Sequence, residues 1–186
     1  MTPLTPLAPA RIETVLFSAA RIRERVDEVA IDIAADFGDD CRIVAILKGS
    51  FVFVADLIRQ LSGRGLHPVV DFIGISSYGA ETVSCGAATL QGQLSLPVQG
   101  RRILLIDDIL DTGVTLQAAT RLLLDNGASE VRTCVLLDKP ARRIVPIRAD
   151  FVGFTIDNVF VVGYGLDYDN RYRHLPYLAT LTVPAP

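Results

Sequence analysis

The sequence predicts an α/β fold in which a parallel sheet is flanked by helices. Apolar runs of strand length alternate with stretches of helical spacing, the arrangement that builds parallel strands joined by helical crossovers. Those runs are continuously apolar, as strands covered on both faces are. One of them ends in acidic residues and leads through a glycine-bearing turn into a helix, the usual ligand-binding corner of an open α/β sheet. A chain of 186 residues is of one-domain size and long enough to bury a core without disulfides or a structural metal.

Each element follows from local signals. Residues 1–10, MTPLTPLAPA, read as a flexible Pro-rich N-terminal arm with neither the basic region nor the apolar stretch of a signal peptide. Ser18 is a candidate cap for a helix whose apolar positions Ile22, Val26, Val29, Ile33 and Phe37 recur at helical spacing and stop at Gly38. RIVAIL (42–47) predicts a strand, KGS a tight turn, and Phe51 to Leu61 a helix. Strands follow at Val69 to Ile75, Arg102 to Ile106, Val131 to Leu137 and Phe160 to Val162. A helix spans Val114 to Asn126 and stops at Gly127. Residues 76–99 are small and polar and too long for an ordinary connection, so they are expected to form either a lid that closes over a site or a surface β-hairpin without a role.

Composition excludes several classes. Eighteen Lys and Arg against 21 Asp and Glu leave a formal charge of −3, so no global field draws nucleic acid or an anionic membrane. No apolar run, FVFVADLI (51–58) included, approaches the roughly 20 residues of a membrane span. Cys41, Cys85 and Cys134 are odd in number, far apart and in no C-x-x-C pair, which fits a reduced, cytoplasmic protein. His67 and His174 are isolated and read as structural or surface residues.

The chemistry concentrates in RILLIDDILDTGVTL, residues 102–116. Gly113 allows close backbone approach, the first amides of the following helix are free, and Thr112 and Thr115 add hydroxyls; together these make a phosphate cradle that needs no net positive charge. Asp107, Asp108 and Asp111 would repel a phosphate unless they hold Mg²⁺, accept from sugar hydroxyls or act as a base. Capping of the helix accounts for one of these acids and leaves the others without a role.

This segment resembles the signature of the type I phosphoribosyltransferases: an apolar strand, two acids, two apolar positions, then Asp-Thr-Gly-x-Thr. The ligand of that family, 5-phosphoribosyl 1-diphosphate, carries a ribose diol, a 5-phosphate and a magnesium-bound diphosphate. ILKGSFVFVADL (46–57), SSYG (76–79), VLLDKPARR (135–143) and DNVFVVGYGLDYDNRYRHLPY (157–177) narrow the resemblance to the hypoxanthine-guanine phosphoribosyltransferases. The resemblance implies one domain over 11–186, with the flap at 76–99 and a small C-terminal hood at 155–180.

It also implies residue roles. Asp111 would take the purine N7 proton, Lys139 would donate to the exocyclic O6, Phe160 would stack on the base, and the carbonyls of Val161 and Asp167 would face its C2 edge. Lys48 and Gly49 would contact diphosphate through backbone amides, in a turn that often holds a cis peptide in that family, and Arg173 would pair with the same group. Ser77 and Tyr78 would close over the reacting centre. Asp107, Asp108 and Asp167 would hold Mg²⁺, the first two also facing the ribose diol. The family usually has Glu-Asp where this chain has Asp107-Asp108, so the first carboxylate reaches one methylene less.

The implied activity is magnesium-dependent transfer of the phosphoribosyl group to N9 of hypoxanthine or guanine, giving IMP or GMP and diphosphate in purine salvage. The implied assembly is a homodimer or homotetramer. Two other readings stay open at this point: a non-catalytic regulator that senses phosphoribosyl diphosphate, and a xanthine-preferring transferase.

Overall fold

A computed structural model describes residues 11–38, 40–76, 89–91 and 94–182. The predicted arm 1–10, Ser77, Tyr78 and Cys85 lie outside the described residues. Five parallel strands form the centre of the fold: β2 (Arg42–Leu47), β3 (Val69–Ser76), β5 (Arg102–Leu110), β6 (Glu130–Asp138) and β7 (Phe151–Thr155). With β4 (Thr89–Gln91) they run in the order β4-β3-β2-β5-β6-β7, and only β4 is antiparallel to its neighbour. The chain thus leaves the sheet along β3 and returns beside it, pairing Ser76 with Thr89 and Gly74 with Gln91.

The alternation of side chains along each strand explains why its run is apolar throughout. On one face Ile43, Ala45, Leu104, Ile106, Cys134 and Leu136 pack beneath α1 (Ala19–Phe37) and α2 (Phe51–Ser62). On the other, Val44, Ile46, Ile103, Leu105 and Val135 meet Leu116, Ala119 and Leu123 of α3 (Val114–Asp125). Each such Leu or Ile contributes about 1.5–3 kcal/mol by leaving water. Ser18 caps α1 as expected, its hydroxyl accepting from the Arg21 amide at 3.3 Å, and the Gly38 amide closes the helix on the Ala34 carbonyl. Cys41 and Cys134 are free, buried thiols, and burial pushes Cys41 up to about 11, which suits packing better than chemistry.

Three differences from the sequence reading matter. Val161–Val162 forms a strand, β8, but not in the parallel sheet: it joins β1 (Arg11–Phe17) and β9 (Leu178–Thr182) in a separate antiparallel sheet of order β1-β9-β8. The edge of the parallel sheet is filled instead by β7, which the sequence reading left unassigned. Finally, β5 extends to Leu110, because Asp107 pairs with Val135 and Leu110 with Asp138 of β6; Asp107 and Asp108 stand within a strand and not in the loop after it.

Candidate active site

The C-terminal ends of β2 and β5, the start of α3 and the segment between β8 and β9 surround a cavity of about 870 Å³. Ten of the expected site residues line it: Lys48 and Gly49 after β2; Asp107 and Asp108 in β5; Asp111, Thr112, Gly113 and Thr115 at the turn into α3; and Asp167 and Arg173 between β8 and β9. Ile46, Leu47, Phe72, Gly74, Ile109, Leu110 and Leu116 complete its walls, and no periodicity marks these as site residues in the sequence.

Backbone geometry shapes the two ends of this cavity. Gly113 stands at φ +87°, and a Cβ there would fall 2.6 Å from Ile147 Cγ2 and 2.7 Å from Val145 Cγ2, so both conformation and space call for glycine. Behind it α3 opens with no acidic residue in its first turn, which leaves the positive end of the helix free for an anion. The Thr112 hydroxyl accepts from the Val114 amide at 3.4 Å. The Leu47–Lys48 peptide, also in the cavity wall, is cis.

The acids differ in setting. Asp107 is buried and accepts from the Asp108 amide at 2.9 Å; burial first, then the neighbouring Asp108 charge, holds its carboxyl well above the usual carboxylate range. Burial also raises Asp108, against hydrogen bonds from Asp107, from its own amide and from the Ile109 amide, and against the Arg173 charge. Asp167 is paired: Oδ1 lies 2.7 Å from Arg173 Nη2, and Oδ2 accepts from the Asn170 amide at 2.7 Å. Arg173 also donates to the Gly165 carbonyl at 2.7 Å, which fixes its guanidinium on its own loop.

Lys139, Phe160 and Val161 do not line this cavity. Lys139 is buried at the end of β6, its amide donating to the Leu110 carbonyl at 3.0 Å, one residue from Asp111. Phe160 is 48% exposed and meets Tyr168 edge to face at 5.7 Å, so it is not a core residue. Val161 is buried in β8, paired with Thr180.

The sequence reading missed two supports. Arg143 donates to the carbonyls of Asp111 (3.0 Å), Leu110 (3.1 Å) and Ile147 (2.5 Å) and pairs with Asp138. The Tyr164 hydroxyl donates to Asp56 Oδ2 at 2.5 Å, tying the segment after β8 to α2. The only sequence signal for the first was the adjacent pair Arg142-Arg143 after KPA.

Comparison with known proteins agrees with this geometry. The family described as phosphoribosyl transferase domain matches residues 16–169. The chain is 42% identical over 171 residues to the hypoxanthine-guanine phosphoribosyltransferase of Bacillus subtilis (strain 168), covering 91% of this chain and 93% of that relative. It is 40% identical over 190 residues to the same-named protein of Mycobacterium avium, covering 97% and 92%. A solved hypoxanthine-guanine phosphoribosyltransferase from Bacillus anthracis superposes with a TM-score of 0.86 at 38% identity, covering 92% of this chain and 100% of that one. A Trypanosoma cruzi hypoxanthine phosphoribosyl transferase superposes at 0.87 with 36% identity, covering 95% of each.

Proposed function

The chain belongs to the phosphoribosyltransferase family, and from that premise we propose that it transfers the phosphoribosyl group of 5-phosphoribosyl 1-diphosphate to N9 of hypoxanthine or guanine, releasing diphosphate. The observation that carries the reading is the convergence of the turn at Asp111–Thr115, the Lys48–Gly49 turn and the hood pair Asp167–Arg173 on one cavity at the C-terminal edge of a parallel sheet.

In this reading Gly113, Thr112, Thr115 and the free amides of α3 cradle the 5-phosphate. The Lys48–Gly49 backbone and Arg173 bind the departing diphosphate and stabilise the negative charge that grows on it, the kind of preorganised electrostatics that usually supplies the largest catalytic term. Asp111 takes the purine proton as N9 attacks the anomeric carbon, worth roughly 10²–10⁴-fold when well placed. Lys139 donates to O6, Phe160 stacks on the ring, and the carbonyls of Val161 and Asp167 receive donors at its C2 edge. Ser77 and Tyr78, in a flap over 76–99, close over the centre and exclude water, the competing nucleophile. The pairing of β3 with β4 at the base of that segment supports a hairpin there. We read 11–186 as one domain with the hood at 155–180, on the strength of β1 pairing with β9 across the chain.

Asp107, Asp108 and Asp167 fit a divalent cation in a particular way. Among the described residues no three metal-ligating side chains form a cluster, yet two adjacent carboxyls are pushed up by burial and would be relieved by a cation. Mg²⁺ is commonly held by one or two carboxylates together with substrate phosphates, so these acids suit Mg²⁺ shared with the diphosphate. It would supply charge neutralisation at the leaving group.

No helix of the described residues is long and apolar enough to cross a membrane, and Cys41 and Cys134 are free. We take the setting as cytoplasmic and the assembly as a homodimer or homotetramer, without nucleic acid or membrane partners. The test is formation of IMP from hypoxanthine and 5-phosphoribosyl 1-diphosphate, with one diphosphate released per nucleotide. Tight binding of the phosphoribosyl substrate with no product would favour a sensor instead.

A further inference from the structure

Arg142 lies in the 3-10 turn Pro140–Arg142 directly after Lys139, and its Nε stands 3.3 Å from Asp111 Oδ1. That oxygen is buried and, among the described residues, takes part in no hydrogen bond, so the guanidinium meets it as a charge and not as a donor. Asp111 nevertheless keeps 30% of its side chain exposed and lines the cavity. With Oδ1 buried, the edge that it presents there is Oδ2.

The surrounding backbone does not depend on Arg142. Arg143 already grips the carbonyls of Leu110 and Asp111, and the amides of Ile144 and Val145 donate to the Thr112 carbonyl at 2.9 and 3.3 Å. Arg142 is half exposed, and ion pairs at such exposure add little to stability. A buried carboxylate oxygen without a donor is costly unless a charge offsets it, and among the described residues the cation paired with this one is Arg142.

Resting on the reading of Asp111 as proton acceptor, we propose that Arg142 is its positioning residue: the guanidinium offsets the buried Oδ1 by charge and so turns Oδ2 toward the purine. Without Arg142 the carboxylate rotates toward other donors and the accepting oxygen leaves the reacting edge. Because the same turn starts at Lys139, one short segment sets both the O6 donor and the proton acceptor.

The test is a double-mutant cycle with steady-state kinetics on the full chain. Arg142→Ala should lower kcat by roughly 10-fold, a part of what a general base contributes, while KM for 5-phosphoribosyl 1-diphosphate and the unfolding midpoint stay at wild-type values. Arg142→Lys should restore most of the loss, and adding Arg142→Ala to Asp111→Asn should cost nothing further. If Asp111→Asn is strongly impaired but Arg142→Ala is silent, or the two losses multiply, the positioning role is overturned and the base survives. If Asp111→Asn itself turns over within a fewfold of wild type, the base reading falls and the positioning role with it.

Discussion

The Cα of Gly49 rests against the carboxylate of Asp108: a Cβ built there would stand 1.5 Å from Oδ2 and 2.5 Å from Cγ. On its other side the Gly49 carbonyl would lie 2.2 Å from a Cβ on Gly165. The turn after β2, the acid in β5 and the loop at Gly165 therefore meet at one point, with no room for a methyl group.

Gly49→Ala should then displace Asp108 and cost about 1–3 kcal/mol of stability, the usual price of overpacking. The variant should still fold but lose most of its affinity for 5-phosphoribosyl 1-diphosphate in a calorimetric titration. Wild-type affinity would mean that this contact does not shape the diphosphate site.

Burial and Asp108 raise the Asp107 carboxyl, so the folded protein holds a proton that the unfolded chain releases. This contribution to stability is fully present below the unfolded value, about 3.9, and is lost as pH rises through the raised folded value. Asp107→Asn, neutral at every pH and still able to accept from the Asp108 amide, should gain in unfolding midpoint over wild type as pH goes from about 4 to about 8. The measurement is thermal unfolding in EDTA; a difference that is flat with pH, or grows toward acid, would contradict the assigned cause.

A diphosphate brings several negative charges to a cavity lined by Asp107, Asp108, Asp111 and Asp167. Binding of the phosphoribosyl substrate should accordingly be poor in EDTA and recover with Mg²⁺. Equal affinity in both conditions would remove the metal role from these acids.

Lys139 lies outside the lining of the main cavity, anchored through its amide to Leu110. Lys139→Ala should weaken purine binding, seen as a raised KM for hypoxanthine, and leave affinity for 5-phosphoribosyl 1-diphosphate unchanged. Equal losses for both substrates would point to a disturbed fold.

What was legible in the sequence was what is local. Asp107 to Thr115 form one contiguous strand, turn and helix start, so a single segment displays the acids and the phosphate cradle together. The central strands were legible because burial on both faces leaves uninterrupted apolar runs. β1 and β9 were not, because they pair across nearly the whole chain, and β8 was legible as a strand but not as a member of their sheet. β7 was hidden by Gly153, present because a Cβ there would fall 2.4 Å from the Leu136 carbonyl. Arg142, Arg143 and the Tyr164–Asp56 bond carry no period or spacing; their roles exist only once distant loops have been folded against the site.

The central claim is transfer to a 6-oxopurine, and a base panel tests it most directly. Purified protein, Mg²⁺ and 5-phosphoribosyl 1-diphosphate are mixed with hypoxanthine, guanine, xanthine or adenine, and kcat/KM is measured for each. A lysine ammonium can only donate, so Lys139 pairs with a carbonyl at position 6 and faces another donor in adenine. A site built for one group and given its mismatch discriminates by about 10⁴–10⁵-fold. Xanthine, with a 2-oxo group toward the carbonyls of Val161 and Asp167, should fall between. The account predicts turnover of hypoxanthine and guanine and none of adenine; adenine reacting as fast as hypoxanthine, or no base reacting at all, would contradict it.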